Sequence, residues 1–270
     1  LTLRKGVTFH RTPWFNPTRH FNADDVLFTY HRLLDEQHPF HRISGGEYPY
    51  FHSLGLTSLI KRVYKKGPHE VVFELNRPDA SFLATLASDY AIVLSAEYGE
   101  QMDKAGTPEL LDSQPIGTGP FSFKEYRHNE FVRYLRHPGY WGGEAKIEQL
   151  IYDITPKSSK RLAKLLTGEC DVMSTPSASQ LSVIDKDSHL NLSVQSGMNV
   201  AFLALNTRKA PFTKVPVRQA RASAINVQNL LQAVYFDTGL PANSLLPPLS
   251  WGYNPSLPER KPDLKRARQL

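Results

Sequence analysis

The sequence predicts a mixed α/β fold of about two domains, and three observations carry that reading. Segments with the twofold alternation of strands are interleaved with segments of helical periodicity, with no repeat of fixed period and no low-complexity linker. The length, 270 residues, is enough for roughly two domains of ordinary size, each able to bury its own core. Twenty prolines punctuate the chain and mark the breaks between elements.

Taken in order, residues 1–10 alternate as a strand through Leu1, Leu3, Val7 and Phe9, and an irregular stretch with Pro13 and Pro17 follows. Residues 22–34 predict a helix. Asn22 is a good N-cap, Asp24 and Asp25 place carboxylates beside the positive end of the dipole, and Val26, Tyr30, Leu33 and Leu34 form the apolar stripe. Segments 60–64 and 71–75 predict a hairpin turning at Gly67-Pro68. A helix is expected over 81–87, with Phe82, Leu83 and Leu86 facing inward, and a short apolar element over 90–94.

Gln114-Pro115-Ile116-Gly117-Thr118-Gly119-Pro120-Phe121 is the sharpest change in composition and reads as a hinge or domain junction. Beyond it, 121–126, 131–135 and 147–153 alternate as strands, 160–167 reads as a helix, and 168–172 as a short buried strand. A short helix is expected over 180–185, extended chain over 191–195, a buried strand over 200–206, and a helical pair over 215–224 and 227–236 capped at Asn226. From Pro262 a further helix begins. A strand pattern at the first residue, with no initiator Met and no signal peptide, leads to the expectation that the chain is an excerpt of a longer protein.

Charge and composition narrow the function. No apolar stretch approaches the roughly 18 residues needed to span a membrane, which predicts a soluble chain. The formal charge of +6 is scattered apart from a denser run over 261–268. Scattered positive charge is usually a solvated surface, and no helix-turn-helix, zinc-finger or RNA-binding aromatic signature accompanies it. Gly117-Thr118-Gly119 is followed by Pro120 and a strand, so it lacks the helix N-terminus that a phosphate loop requires. His38 and His41 offer a metal two ligands where three or four are needed. No serine sits in a Gly-x-Ser-x-Gly elbow, and the single cysteine, Cys170, stands between Glu169 and Asp171, which oppose a thiolate nucleophile. The expectation is therefore no catalytic residue, no metal and no resident cofactor.

The aromatics are more telling. Tyr48, Tyr50 and Phe51 crowd beside Gly45-Gly46 in a turn-rich stretch where they cannot all enter one core. One or two rings anchor the loop, or the segment forms a ligand-facing lip, where a tyrosine supplies apolar area and one hydroxyl.

Six motifs then stand in register: FHRTPWFNPTRHFNADDVLFTYHR (9–32), SGGEYPYF (44–51), QPIGTGPF (114–121), HPGYWGG (137–143), LLTGECDVM (165–173) and PPLSWGYNP (247–255). In this the chain resembles the family 5 extracellular solute-binding proteins of ABC peptide transport, over essentially its whole length. The run 165–172 and Ser177-Ala178-Ser179-Gln180-Leu181-Ser182 are most like the peptide-transport branch, a relative of the dipeptide- and haem-binding receptors.

The resemblance implies a periplasmic-binding-protein-like, two-lobed α/β fold with a subdivided first lobe and an incomplete second lobe. Residues 1–118 would be the small subdomain of the first lobe, 119–205 its main part, and 206–270 the truncated start of the second. It implies a periplasmic, non-catalytic receptor that hydrolyses nothing: it captures a peptide by cleft closure and delivers it to an inner-membrane permease, as a monomer. The implied ligand contacts are Gly46, Glu47 and Tyr48 in the loop and Asn199 and Phe202 near the crossing between lobes. In the family Cys170 would be bridged to a cysteine near the mature N-terminus. Haem is the alternative ligand, with His52 the nearest candidate axial ligand. Binding of a polyanion or nucleic acid through the basic surface is the alternative of a different class. One departure is Arg221, followed by Ala222-Ser223-Ala224-Ile225, where the family more often carries an apolar residue.

Overall fold

A computed structural model describes residues 1–258 and 261–270. It divides into two compact units, Leu1–Thr155 and Pro156–Leu270, taken here one at a time.

The first unit is organised by α1 (Ala23–Leu34). Asn22 caps it by accepting the Asp24 N–H, and Asp25, in the third helical position, reaches back to the Asn22 N–H at 2.9 Å, closing a capping box. Asp25 does more than cap. Its side chain is fully buried, takes a two-pronged ion pair from Arg19 at 2.8 Å on each oxygen, and accepts the Ala96 N–H at 2.8 Å. Both oxygens are therefore satisfied, which is what allows a carboxylate to be buried.

Two short helices, α2 (Pro49–Ser53) and α3 (Leu56–Leu59), lead into the hairpin β1 (Ile60–Gly67) and β2 (Glu70–Leu75). The strands pair antiparallel around Gly67-Pro68, as expected, with Val63 opposite Phe73. The stripe of α1 lies on this hairpin. Val26, Tyr30, Val63 and Val71 are buried in one cluster with Phe51 and Phe82, and Lys65 pins the other end of the contact to Asp24 at 2.5 Å. Burial pushes the Tyr30 hydroxyl up to about 12.

Residues 1–10 do not form the expected strand. Leu1 to Leu3 meet the start of β2 through a reciprocal Leu1–Val71 pair at 2.7 and 3.0 Å, the Thr2–Glu70 bridge and the Leu3 N–H to His69 carbonyl bond at 2.8 Å, and no further. Gly6, at φ +73°, then turns the chain away. The alternation still reported burial correctly, since Val7 and Phe9 are in the interior. It did not report a ladder, because alternation says which side chains point inward and not which backbone pairs with which.

After α4 (Phe82–Leu86) come α5 (Ala96–Ala105) and α6 (Leu110–Ser113). Phe82 of α4 is buried, but Leu83 points to solvent at 64% exposure, so only part of the expected inward face is realised. α5 was not foreseen in the sequence. Its signals were present: Ser95 caps it by accepting the Tyr98 N–H at 3.2 Å, and Gly106, at φ +67°, ends it in the left-handed conformation that glycine reaches without strain. A second cluster, Phe9, Phe15, Phe40, Tyr98, Met102, Leu111 and Ile116, joins α5 and α6 to the irregular 10–21 stretch.

The unit ends in an antiparallel meander, β3 (Phe121–Arg127), β4 (Phe131–Arg136) and β5 (Gln149–Asp153), in that spatial order. The three strands fall where alternation placed them.

The second unit is helical. It holds α7 (Ser158–Leu166), α8 (Leu181–Lys186), α9 (Val215–Ala224), α10 (Val227–Tyr235) and α11 (Leu264–Gln269). Asn226 caps α10 as expected, accepting the Asn229 N–H at 3.0 Å. The strands expected over 168–172 and 200–206 are absent, and 191–195 pairs with nothing: among the described residues this unit contains no strand. Val172 is 82% exposed and Phe202 73%, where buried strands were expected. An apolar run becomes a strand only when a neighbouring backbone completes its hydrogen-bond ladder, and no described residue of the unit offers one.

Asp25→Ala is expected to cost about 3 kcal/mol, because it strands two buried N–H groups and the Arg19 guanidinium together. Asn22→Ala should cost about 1 kcal/mol through the cap alone. Tyr98→Phe should be neutral or stabilise by up to about 1 kcal/mol, since the buried Tyr98 hydroxyl has no hydrogen-bond partner among the described residues. Urea denaturation of the three variants against the parent checks the ranking.

Candidate functional site

The loop that the sequence singled out is built on Arg32 of α1. The Arg32 side chain is nearly buried. Its Nε donates to the Phe40 carbonyl at 3.1 Å, its guanidinium lies 3.7 Å from Asp112, and its carbon centre sits 5.6 Å from the centre of the Tyr48 ring. The Arg32 carbonyl in turn is 2.6 Å from Nδ1 of His41. These contacts fix the chain over residues 40–42, and a single turn of tight helix over Ile43–Gly45 starts from there.

Gly46 closes that turn at φ +68°, and a Cβ there would lie 3.2 Å from both the Arg42 Cα and the His41 carbonyl. The position therefore needs glycine on two counts, conformation and space. Glu47 is exposed. The Tyr48 hydroxyl donates to the His41 carbonyl at 2.7 Å, and its ring packs on the core cluster of α1 and the hairpin. Partial burial raises its pKa, with Arg32 opposing. Tyr48 thus spends its hydroxyl on the scaffold and offers a surface only through the rest of its ring.

The three crowded aromatics separate in three directions. Phe51 is buried in the core, Tyr48 ties the loop down, and Tyr50 is 67% exposed. Tyr50 is stacked on Tyr90, with ring centres 5.7 Å apart and planes 8° from parallel. Tyr90 was not foreseen as part of the site. Leu54, one turn on from Tyr50, and Ile92, two residues past Tyr90, are exposed as well.

The other predicted contacts lie in the second unit. Asn199 and Phe202 are both exposed in a stretch without regular structure. Cys170 is a free, partly exposed thiol. His52, the candidate haem ligand, is exposed and shares a 3.0 Å hydrogen bond with Thr57 through Nδ1. His38 accepts the Phe40 N–H at 3.2 Å and His41 is held by Arg32, so each already serves the backbone. Among the described residues no group of three or more His, Cys, Asp or Glu side chains is arranged to hold a metal, and no helix is long and apolar enough to cross a membrane.

The Gly117-Thr118-Gly119 junction is closed by a histidine. The Gly117 N–H donates to Nδ1 of His10 at 3.2 Å, so Nε2 carries the proton and donates to the Gly119 carbonyl at 2.9 Å. A second imidazole, His137, packs edge-on against it with ring centres 4.9 Å apart, and its Nε2 lies 3.3 Å from the Thr8 hydroxyl. Burial lowers the pKa of both rings; at His10 repulsion from His137 acts in the same direction and the Gly119 bond works the other way.

A mixed α/β fold, with Tyr50 and Tyr90 exposed beside a paired-glycine turn and a glycine-rich junction held by a buried histidine, carries these candidate residues. The description "Bacterial extracellular solute-binding proteins, family 5 Middle" matches residues 1–270, and the chain belongs to that family. It is 48% identical over 252 residues to the peptide transport periplasmic protein SapA of Salmonella typhimurium, covering 93% of this chain and 46% of that protein. It is 44% identical over 268 residues to haem-binding protein A of Haemophilus influenzae, covering 99% of this chain and 49% of the relative. Among solved structures, a dipeptide-binding protein from Pseudoalteromonas sp. SM9913 in complex with Met-Leu superimposes with a TM-score of 0.87 at 44% identity, covering 99% of this chain and 53% of that one. The chain spans about half the length of these relatives. The mixed α/β fold expected from the sequence is that of the periplasmic peptide-binding proteins.

Because burial holds His10 neutral in the folded chain, an unfolded histidine of pKa 6.5 binds protons first as the pH falls. Stability should be flat above that value and decline below it, down to the lowered folded pKa. Urea midpoints measured between about pH 8 and 5 are expected to show this slope. His10→Ala should lower the midpoint at the alkaline end and reduce the slope.

Proposed function

We propose that this chain is the middle portion of the periplasmic substrate-binding component of an ABC transporter, which captures peptides by cleft closure and delivers them to the membrane permease. The observation that carries the reading is family membership over every residue of the chain, together with relatives named for peptide transport and for binding a dipeptide. The receptor works as a monomer, holds no resident cofactor and catalyses no reaction. Residues 1–118 and 119–205 are proposed as the two parts of the first lobe and 206–270 as the start of the second.

In this reading the 43–53 segment is a lip towards the ligand. Gly46 and the anchored Tyr48 set its shape, Glu47 offers a carboxylate, and Tyr50 braced by Tyr90 presents an aromatic face. Such a face gains from contact with peptide side chains of many kinds, since ring burial needs no fixed hydrogen-bond partner. Bracing matters because a ring already held by its neighbour loses little freedom when the ligand arrives. Asn199 and Phe202 are proposed as contacts from the second unit, on the strength of their exposure and their place in the family pattern.

Haem is the second reading, favoured by 44% identity to a haem-binding protein. His52 remains the ligand to the iron in that case, with Nδ1 oriented by Thr57. A polyanion reading rests on the charge of +6 and predicts binding that collapses with salt.

Calorimetric titration of the full-length protein with short peptides and with haem separates the readings, and absence of heat with every peptide would overturn the first. Tyr50→Ala is expected to weaken peptide binding about tenfold, roughly 1.4 kcal/mol, while leaving the urea midpoint unchanged. Unchanged affinity would remove Tyr50 from the lip.

A further inference from the structure

A hollow of about 670 Å³ opens in the first unit, away from the lip, between the 8–20 stretch and the end of β4 with the turn that follows it. Its rim carries Arg11, Arg19, His20 and Arg136, its apolar wall is Pro17, Leu135 and Pro138, and no Asp or Glu lines it. The charge is not shared evenly. Arg19 is answered by Asp25 at 2.8 Å, and Arg136 by Glu144 at 3.1 Å and Glu148 at 3.5 Å, all from outside the lining. Arg11 is exposed and makes no hydrogen bond or ion pair among the described residues. The unanswered positive charge of the hollow therefore resides on Arg11.

The hydroxyls around the hollow have already placed their protons. Thr8 donates to the Gly139 carbonyl at 3.2 Å, Thr18 to Glu97 at 2.6 Å and Ser122 to the Leu135 carbonyl at 3.2 Å. An anion would therefore be held by the guanidinium and by the His20 imidazole, with the hydroxyls as bystanders. The apolar wall adds a second requirement. A bare inorganic anion leaves Pro17, Leu135 and Pro138 unused, whereas a carboxylate on a short methylene stem covers them.

We propose that this hollow is a subsite for a small organic carboxylate, with Arg11 as the charge that holds it and the wall at Pro17, Leu135 and Pro138 as the seat of its stem. It shares no residue with the lip, so it stands whether or not that reading does. Arg11 is exposed and unpaired, so its replacement leaves the scaffold in place.

The test is titration of the full-length protein with glutarate, followed by calorimetry and by chemical shifts of residues 8–20. Glutarate is expected to bind, to weaken about tenfold in Arg11→Gln and to weaken with added salt. Glutaramide, the neutral counterpart, and inorganic phosphate should bind more weakly than glutarate. Equal binding of glutarate to Arg11→Gln, equal binding of glutaramide, or no binding at about 10 mM glutarate, a free energy below about 3 kcal/mol, overturns the proposal. Phosphate binding as well as glutarate overturns the role of the apolar wall.

Discussion

The first unit depends on one buried carboxylate. Asp25 meets the start of α1, the Arg19 guanidinium and the first residue of α5 with four hydrogen bonds, so the 19–25 stretch and a helix that begins 71 positions further on converge on two oxygen atoms. The desolvation of a charge is a large cost, and it is offset here only because every lone pair has a donor. The rest follows from that geometry. With α1 fixed at its N-terminus, its apolar stripe meets the hairpin, and Arg32, two turns further on, is delivered to the loop that carries Gly46 and Tyr48. The candidate lip is thus positioned by the far end of the helix that Asp25 anchors.

The two ends of α1 do different jobs. At the first turn, charge and capping fix direction; at the last, a cation, an aromatic ring and backbone carbonyls fix a loop. Arg32 serves the loop through its backbone as much as through its side chain, since the carbonyl holds His41 and the guanidinium holds Phe40 and faces Asp112. Such a loop is rooted on Arg32 and projects Tyr50, stacked on Tyr90, into solvent without letting it collapse onto the core.

How much of this was legible depended on whether the deciding contact was local. The Asn22 cap, the turn at Gly67-Pro68 and the Asn226 cap are set by residues within a few positions of one another, and β3 to β5 follow one another along the chain, so the sequence shows them. Asp24 and Asp25 were legible as first-turn carboxylates, but the meeting of Asp25 with Ala96 spans 71 positions and leaves no local mark. The same holds for Tyr50, whose partner Tyr90 is forty residues on and belongs to no pattern shared with it. The failed strands at 1–10, 168–172 and 200–206 share one cause: apolar character was visible, but the neighbouring backbone that would make it a ladder was not. Family resemblance supplied the fold and the role, which composition and periodicity alone left at an α/β chain without catalytic residues. The assignment of Tyr48 as a contact came from the same resemblance, and what the structure adds is that its hydroxyl is engaged within the loop.

The closure of the glycine-rich junction on His10 has a further consequence, in spectroscopy. Because Nδ1 must accept from Gly117 and Nε2 must donate to Gly119, the ring is held in one tautomer, whereas a histidine in water exchanges between two. The nitrogen-15 resonances of that imidazole are then widely split, one acceptor-like and one donor-like. They would report, residue by residue and without a ligand, whether residues 8–12 and 114–121 are in register, so the docking of the junction can be followed through a single side chain.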